Sequence, residues 1–548
     1  MLPSLVLLSL ALGRAMPSSA APAAAPSVTL DHGTFVGSVD GLANRFLGIP
    51  FAKPPVGDLR FRLPVPNAAY SGTHTATAFG HACPQQTAPP QFPASVQSDV
   101  TAFVDSTTIT DIAEDCLTLN VWTPANVAKG AKLPVVVWIY GGGFETGGTS
   151  TFNGSAIVSR SVEMNTPVVY VSMNYRLTVF GFLASQEVKN AGVGNLGMQD
   201  QRQAMRWVQQ YISAFNGDPT KVTIFGESAG SISVSLHLLT SNGNPGGLFR
   251  AAFMESGSPF AMNDITHGQQ TYDGIVEQVG CAGAKDTLEC LRQASFQALM
   301  DVVNASPGLT SPLALNLPWA PLVDGVFLTD DPQKLVARGA IANIPFVNGD
   351  CDDEGTLFSI GTLNLTTDAE VRAYLSANYF PNATPSQLDT LLEIYPQDPA
   401  QGSPFGTGDA NAISPQFKRL AAIQGDLVFQ GPRRFLLNSR SSKQATFSYL
   451  NKRLKATPGL GSAHGTDLLN MYGPGDMTEY LINFASTLNP NGPGLLNWPA
   501  YTISGKQLLT FLDGAVPLAI TQDNFRTNGT DLLTQLLQAN PLGGGTSE

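Results

Sequence analysis

Ser228 stands in the pentapeptide Gly226-Glu227-Ser228-Ala229-Gly230, between an apolar, β-branched run at 221–225 (KVTIF) and a helix-compatible stretch at 231–239. A strand, a sharp turn and a helix form the setting in which G-x-S-x-G lifts a serine hydroxyl out as a nucleophile. The flanking glycines let the turn tighten, because a Cβ there would meet neighbouring backbone. The next residue, Ala229, has its N–H at a helix N-terminus, where it can hold a developing oxyanion. On the bland reading these five residues are a glycine-rich turn with an incidental serine. Their context favours the chemical reading.

A second glycine motif, Tyr140-Gly141-Gly142-Gly143-Phe144, follows the run at 133–140 (LPVVVWIY). Three glycines could be a flexible loop and nothing more. They also let backbone donors approach a carbonyl oxygen without side chains in the way, which marks Gly142 and Gly143 as two further oxyanion donors. Each such donor is worth about 3 kcal/mol of transition-state stabilisation.

A serine hydroxyl needs a base. The chain has six histidines: His32, His74 and His81 precede the glycine loop, and His237 and His267 follow the serine closely. His464, in the small-residue loop Gly461-Ser462-Ala463-His464-Gly465, comes late enough to fit a serine, acid, histidine order. The acid then falls in between, and 348–356 (NGDCDDEGT) is the densest acidic cluster there. Residue type alone leaves Asp350, Asp352, Asp353 and Glu354 equivalent, and an acidic turn can also bind a cation or face solvent.

The elements that must position these groups are legible in part. Runs at 133–140, 167–173 and 221–225 are continuously apolar, as strands buried on both faces of a parallel sheet are. Between the last two, 199–213 carries Met205, Val208 and Ile212 on one helical face, giving a strand–helix–strand unit. After about residue 260 sheet segments thin out, with 344–348 and 445–450 the best strand candidates. No repeat or long linker divides the chain, so the expectation is one α/β domain over 21–548 with large helical insertions.

Composition sets limits. In 548 residues, 43% are hydrophobic and only 13% charged, which describes a large-cored protein and excludes a disordered one. A net charge of -12 with no strong Lys/Arg cluster argues against nucleic acid or an anionic membrane as partner. The apolar run at 2–12 and the small residues Ser18, Ser19 and Ala20 read as a signal peptide over 1–20, hence secretion. No later stretch is long and apolar enough to cross a membrane. Among five cysteines, Cys83 with Cys116 and Cys281 with Cys290 could close loops, leaving Cys351 as a buried thiol. N-x-S/T sequons at Asn153, Asn304, Asn364, Asn382 and Asn528 fit a secreted glycoprotein.

Long ordered motifs then carry a resemblance: FLGIPFAKPPVGDLRFRLP, EDCLTLNVWTP, YGGGFETGG, NYRLTVFGFL, GNLGMQDQRQAMRWVQQYISAFNGDP, FGESAGS, DGVFLTDDP and IPFVNGDCDDEGTLF. Across nearly the whole mature chain the sequence resembles the type-B carboxylesterase/lipase family, the cholinesterase-like α/β-hydrolases. Within it the chain looks most like the fungal Candida rugosa and Geotrichum type of lipase and the sterol esterases. The resemblance implies the α/β-hydrolase fold, a central mostly parallel sheet flanked by helices. It also implies the triad Ser228, Glu354 and His464, with oxyanion donors Gly142, Gly143 and Ala229. The disulfides it implies are Cys83–Cys116 and Cys281–Cys290, and its structural ion pairs Arg60–Glu114 and Arg176–Asp200. No metal or organic cofactor is called for.

In the lipases resembled, the segment closed by the first disulfide is a lid, here about 84–115. Val96, Val100, Phe103 and Val104 fall there at helical spacing. An amphipathic lid would expose apolar surface at a lipid–water interface; an ordinary surface helix explains the same pattern. No Trp occurs in this segment to hold a choline cation, so choline esters are disfavoured. The expected substrates are lipid esters, namely triacylglycerols and long-chain or sterol esters. A general carboxylesterase on short or aryl esters is the alternative. A non-catalytic binding protein of neuroligin type fits poorly, because nucleophile, base, acid and oxyanion glycines are all retained. A monomer or weak homodimer is expected.

Overall fold

The computed structural model describes residues 25–87, 109–473 and 475–544. The segment 1–20 read as a signal peptide, and the four apolar positions at 96–104 read as part of a lid, lie outside these residues. Continuous burial makes the central strands. β7 (Leu133–Ile139), β8 (Val169–Met173), β9 (Gly217–Glu227) and β10 (Ala251–Glu255) are almost entirely buried. Residues without a solvent face fit only the middle of a sheet covered on both sides.

Eleven strands join in the order β14-β13-β12-β11-β10-β9-β7-β8-β6-β4-β3. The remaining members are β3 (Ser38–Asp40), β4 (Ala43–Pro50), β6 (Thr118–Pro124), β11 (Phe346–Cys351), β12 (Thr446–Asn451), β13 (Gln507–Phe511) and β14 (Leu518–Gln522). Every pairing from β8 through β13 is parallel, and the margins are antiparallel. A separate three-stranded sheet is formed by β1 (Ser27–Leu30), β2 (His32–Val36) and β5 (Ser71–Thr75). Against the large sheet pack α1 (Ser155–Glu163), α2 (Leu196–Tyr211), α3 (Ala229–His237) and α4 (Asp476–Thr487). The α/β-hydrolase architecture expected from the motifs is the one observed.

The expected strand–helix–strand unit is β8, α2, β9, with α2 starting at Leu196 and ending at Tyr211. Two disulfides are formed, Cys83–Cys116 and Cys281–Cys290, and Cys351 is a buried free thiol. Arg60 grips Glu114 with two bonds of 2.6 and 2.7 Å, and Arg176 grips Asp200 with two of 2.7 Å.

Candidate active site

Parallel strands point the same way, so the loops that leave their carboxyl ends share one rim of the sheet. β9 ends at Glu227 and Ser228 follows; β7 ends at Ile139, just before the glycine loop; β11 ends at Cys351, three residues before Glu354. Register aligns these ends, since Ile139 pairs with Gly226, Glu227 with Glu255, and Cys351 with Asn451 of β12.

At the turn, Ser228 has φ 57° and ψ −127°. Such a conformation costs a non-glycine residue about 1–3 kcal/mol and persists only where surrounding contacts enforce it. The Ser228 N–H donates to Glu255 O (2.9 Å), and Ser228 O accepts from Ile232 N (2.8 Å), tying the turn to β10 and α3. The motif glycines are required by close approach. A Cβ on Gly226 would lie 2.6 Å from Gly230 C and 2.7 Å from Ile139 O. A Cβ on Gly141 would lie 2.7 Å from the Ser228 Cβ, so the glycine loop runs directly against the serine.

That loop turns through three residues of positive φ, Gly142 (98°), Gly143 (64°) and Phe144 (63°). Gly142 O accepts from Glu145 N and Thr146 N, both at 3.0 Å. Among the described residues nothing accepts from the Gly142 or Gly143 N–H. Ala229 is the first residue of α3, where an N–H has no intrahelical partner. Three backbone donors are thereby left uncommitted around Ser228.

Glu354 and His464 meet from different loops. His464 Nδ1 lies 2.5 Å from Glu354 Oε2. Glu354 Oε1 accepts from Ser256 Oγ and from Cys351 N, each at 2.6 Å. Phe358 and Phe429 flank the imidazole with ring centroids at 5.1 and 4.7 Å, leaving His464 6% exposed. Among the described residues Nε2 has no hydrogen-bond partner; it sits 3.2 Å from Glu227 Oε1, on the residue next to Ser228. The structure thus joins His464 to Glu354 and brings Nε2 beside the Ser228 turn. Among the described residues no hydrogen bond joins Ser228 Oγ to His464 Nε2. Of the other acids in the cluster, Asp350 pairs with Arg433 at 2.9 Å, and Asp352 and Asp353 with Lys455 at 2.6 Å.

The electrostatics of this rim are unusual, and motif reasoning missed most of it. Burial pushes Glu354 well above the usual carboxyl range, opposed by the bond from Ser256. Burial also drives Glu227 up to about 8, against the pull of His464. Glu255 is raised well above its ordinary value by burial and by Asp467 and Glu227, and both its oxygens are unpartnered among the described residues. Asp467 is raised by burial too and accepts from Tyr449 Oη at 2.7 Å. Nothing in the local sequence of β10 marks Glu255, since a strand-end carboxylate looks like any solvated one. All five sequon asparagines are exposed.

The α/β-hydrolase sheet and the site at its carboxyl rim define a carboxylic ester hydrolase. The chain belongs to the carboxylesterase family, whose sequence profile matches residues 24–528. It is 44% identical over 533 residues to Lipase 4 of Diutina rugosa, covering 93% of this chain and 96% of that protein. It is 39% identical over 540 residues to the secreted triacylglycerol lipase LIP1 of Gibberella zeae, covering 95% and 92%. The crystal structure of Aspergillus niger EstA superimposes with a TM-score of 0.79 at 28% identity, covering 94% of this chain and 98% of that one. No helix among the described residues is long and apolar enough to cross a membrane.

Proposed function

We propose that the protein is a secreted lipase that hydrolyses lipid esters, triacylglycerols first, through an acyl-enzyme on Ser228. The observation that carries this reading is the 2.5 Å His464–Glu354 contact beside a strained serine turn walled by uncommitted backbone donors. The triacylglycerol substrate is drawn from the Gibberella relative's name, and secretion from the same name and the leader-like segment.

In the proposed reaction, Ser228 Oγ attacks the ester carbonyl carbon as His464 Nε2 takes the hydroxyl proton. Glu354, fixed by Ser256 and Cys351 N, holds the Nδ1 proton and stabilises the imidazolium. The oxyanion accepts from the N–H groups of Gly142, Gly143 and Ala229. His464 then gives its proton to the departing alkoxide, and the alcohol leaves. Water, deprotonated by His464, attacks the acyl carbon, and the collapse of that intermediate returns the proton to Ser228 and releases the acid.

The test compares p-nitrophenyl butyrate with p-nitrophenyl palmitate, with and without detergent micelles, for the wild type and Ser228→Ala. Ser228→Ala should lose at least about a thousandfold in kcat. Its thermal transition should stay in place, since the change removes one hydroxyl. Retained turnover would refute the nucleophile. Preference for butyrate with no response to micelles would replace the lipase by a short-chain carboxylesterase.

A further inference from the structure

His464 and Glu354 must stay at bonding distance although 110 positions separate them in the chain. Strand pairing does not reach that far, because β11 ends at Cys351 and β12 at Asn451. What bridges the two loops is centred on Asp353, which is fully buried. Its N–H donates to Ser462 O at 3.0 Å, and Asp353 and Ala463 form an isolated parallel bridge. In parallel register the next residues on each side are neighbours, and these are Glu354 and His464. The bridge therefore sets which residue faces the imidazole.

The Asp353 carboxylate locks that register with four donors. Oδ2 accepts from Ser462 N at 2.8 Å and from Lys455 Nζ at 2.6 Å. Oδ1 accepts from Phe405 N at 2.8 Å and from Ser403 Oγ at 3.1 Å. Lys455 also binds Asp352 at 2.6 Å, and Lys452 lies 3.4 Å from Asp352, so two ammoniums face the two carboxylates. Gly461 completes the fit: it has φ 62°, and a Cβ there would strike Asp353 Oδ2. Nearby, Thr356 Oγ1 reaches both Asp353 O (2.9 Å) and Leu460 O (2.8 Å).

We propose that Asp353 is a positioning residue: by clamping the Leu460–Ala463 segment to the acid loop with Lys455, it holds the His464 imidazole against Glu354. The proposal rests on the Ser228–His464–Glu354 reading. An isosteric Asn can accept with one oxygen only, and its amide would confront the Ser462 or Phe405 N–H, donor against donor.

The experiment uses the full chain with Asp353→Asn and, as a milder change at the partly exposed cation, Lys455→Met. Active sites are counted with diethyl p-nitrophenyl phosphate taken to completion, so misfolded protein does not enter kcat. Asp353→Asn should lower kcat per titrated site roughly ten- to hundredfold, the cost of a displaced catalytic group. KM for p-nitrophenyl butyrate should stay within about twofold, because substrate binding is not touched. The acid limb of kcat/KM should move as well, since a displaced Glu354 changes what His464 Nδ1 meets. Lys455→Met should show the same pattern, weaker. If Asp353→Asn changes only the thermal transition while kcat per site and the acid limb match the wild type, Asp353 merely stabilises the fold and the proposal is wrong. Should Asp353→Asn not fold, unchanged kcat and acid limb in Lys455→Met overturn it equally. Wild-type protein that the organophosphate never titrates would instead bring down the serine reading itself, and this proposal with it.

Discussion

Two glycines four positions apart decide whether Ser228 can occupy its turn. β9 arrives and α3 leaves so closely that Gly226 and Gly230 touch across the turn, with the Ile139 carbonyl against both. Backbone oxygen cannot yield as a side-chain end can. Gly230→Ala should therefore displace the turn, costing about 1–3 kcal/mol in denaturant unfolding, as overpacking generally does. It should also abolish most turnover, measurable as kcat per active site; a variant with wild-type kcat would show that the turn tolerates the methyl. At this scale the sequence was readable where chemistry demands a local pattern and opaque where it demands a distant partner. Ser228 and the glycines declare themselves within five residues. Asp350, Asp352, Asp353 and Glu354 do not, because all four are buried and differ in what they meet: Arg433, the Lys452 and Lys455 ammoniums, Lys455 with two loop amides, and His464. These partners come from 52 to 110 residues further on.

Among elements, legibility follows burial. β7 and β8 were visible as apolar runs because both faces are covered, and α2 because one face is. β10 (AAFME) passed unnoticed: of its five residues only Phe253 has high β-propensity, and the run becomes a central strand because β9 and β11 lie on either side of it. β13 and β14 escaped for a related reason, since they pair antiparallel at the margin and β14 is only half-buried. A covalent tie precedes β6. Cys83–Cys116 closes a loop with a sequence separation of 33, two residues before β6 begins. In the chain-entropy account a loop of that size is worth about 3–4 kcal/mol, drawn from the unfolded state. Cys83→Ala/Cys116→Ala should lose that amount in non-reducing urea unfolding. Cys281–Cys290, with a separation of 9, should be worth about 2–3 kcal/mol by the same reasoning. Equal losses from the two double variants would argue that native packing, not loop entropy, sets their contribution.

For the whole molecule, the parallel sheet collects its strand ends on one rim, and with them its buried acids. Glu227 and Asp350 are each pushed by burial to about 8. Asp350 rises despite Arg433 at 2.9 Å because that guanidinium is shared with Asp523. Asp523 also has Arg434 and, against burial, is held far below the ordinary carboxyl range. These two kinds of acid act on stability in opposite directions. Asp523 is ionised in the native state before the unfolded chain would ionise it, so its contribution is present above the usual carboxyl range and is lost on acidification. Glu227 and Asp350 keep protons that the unfolded chain has already released. Their contribution is full below about pH 4 and declines as pH rises towards 8. The thermal transition should accordingly be highest in mildly acidic buffer and fall towards pH 8. Glu227→Gln isolates one member, because an amide of the same shape has no proton to lose. Its Tm relative to wild type should climb steadily between pH 4.5 and 8, by about 2 °C or more in total, and level off above. Scanning calorimetry at matched ionic strength reads this directly. Parallel Tm curves for variant and wild type across that range would mean that Glu227 is ionised in the folded protein. The carboxylate 3.2 Å from His464 Nε2 would then hold that nitrogen, and the proposed reaction would have to break this contact to free Nε2 for the Ser228 proton.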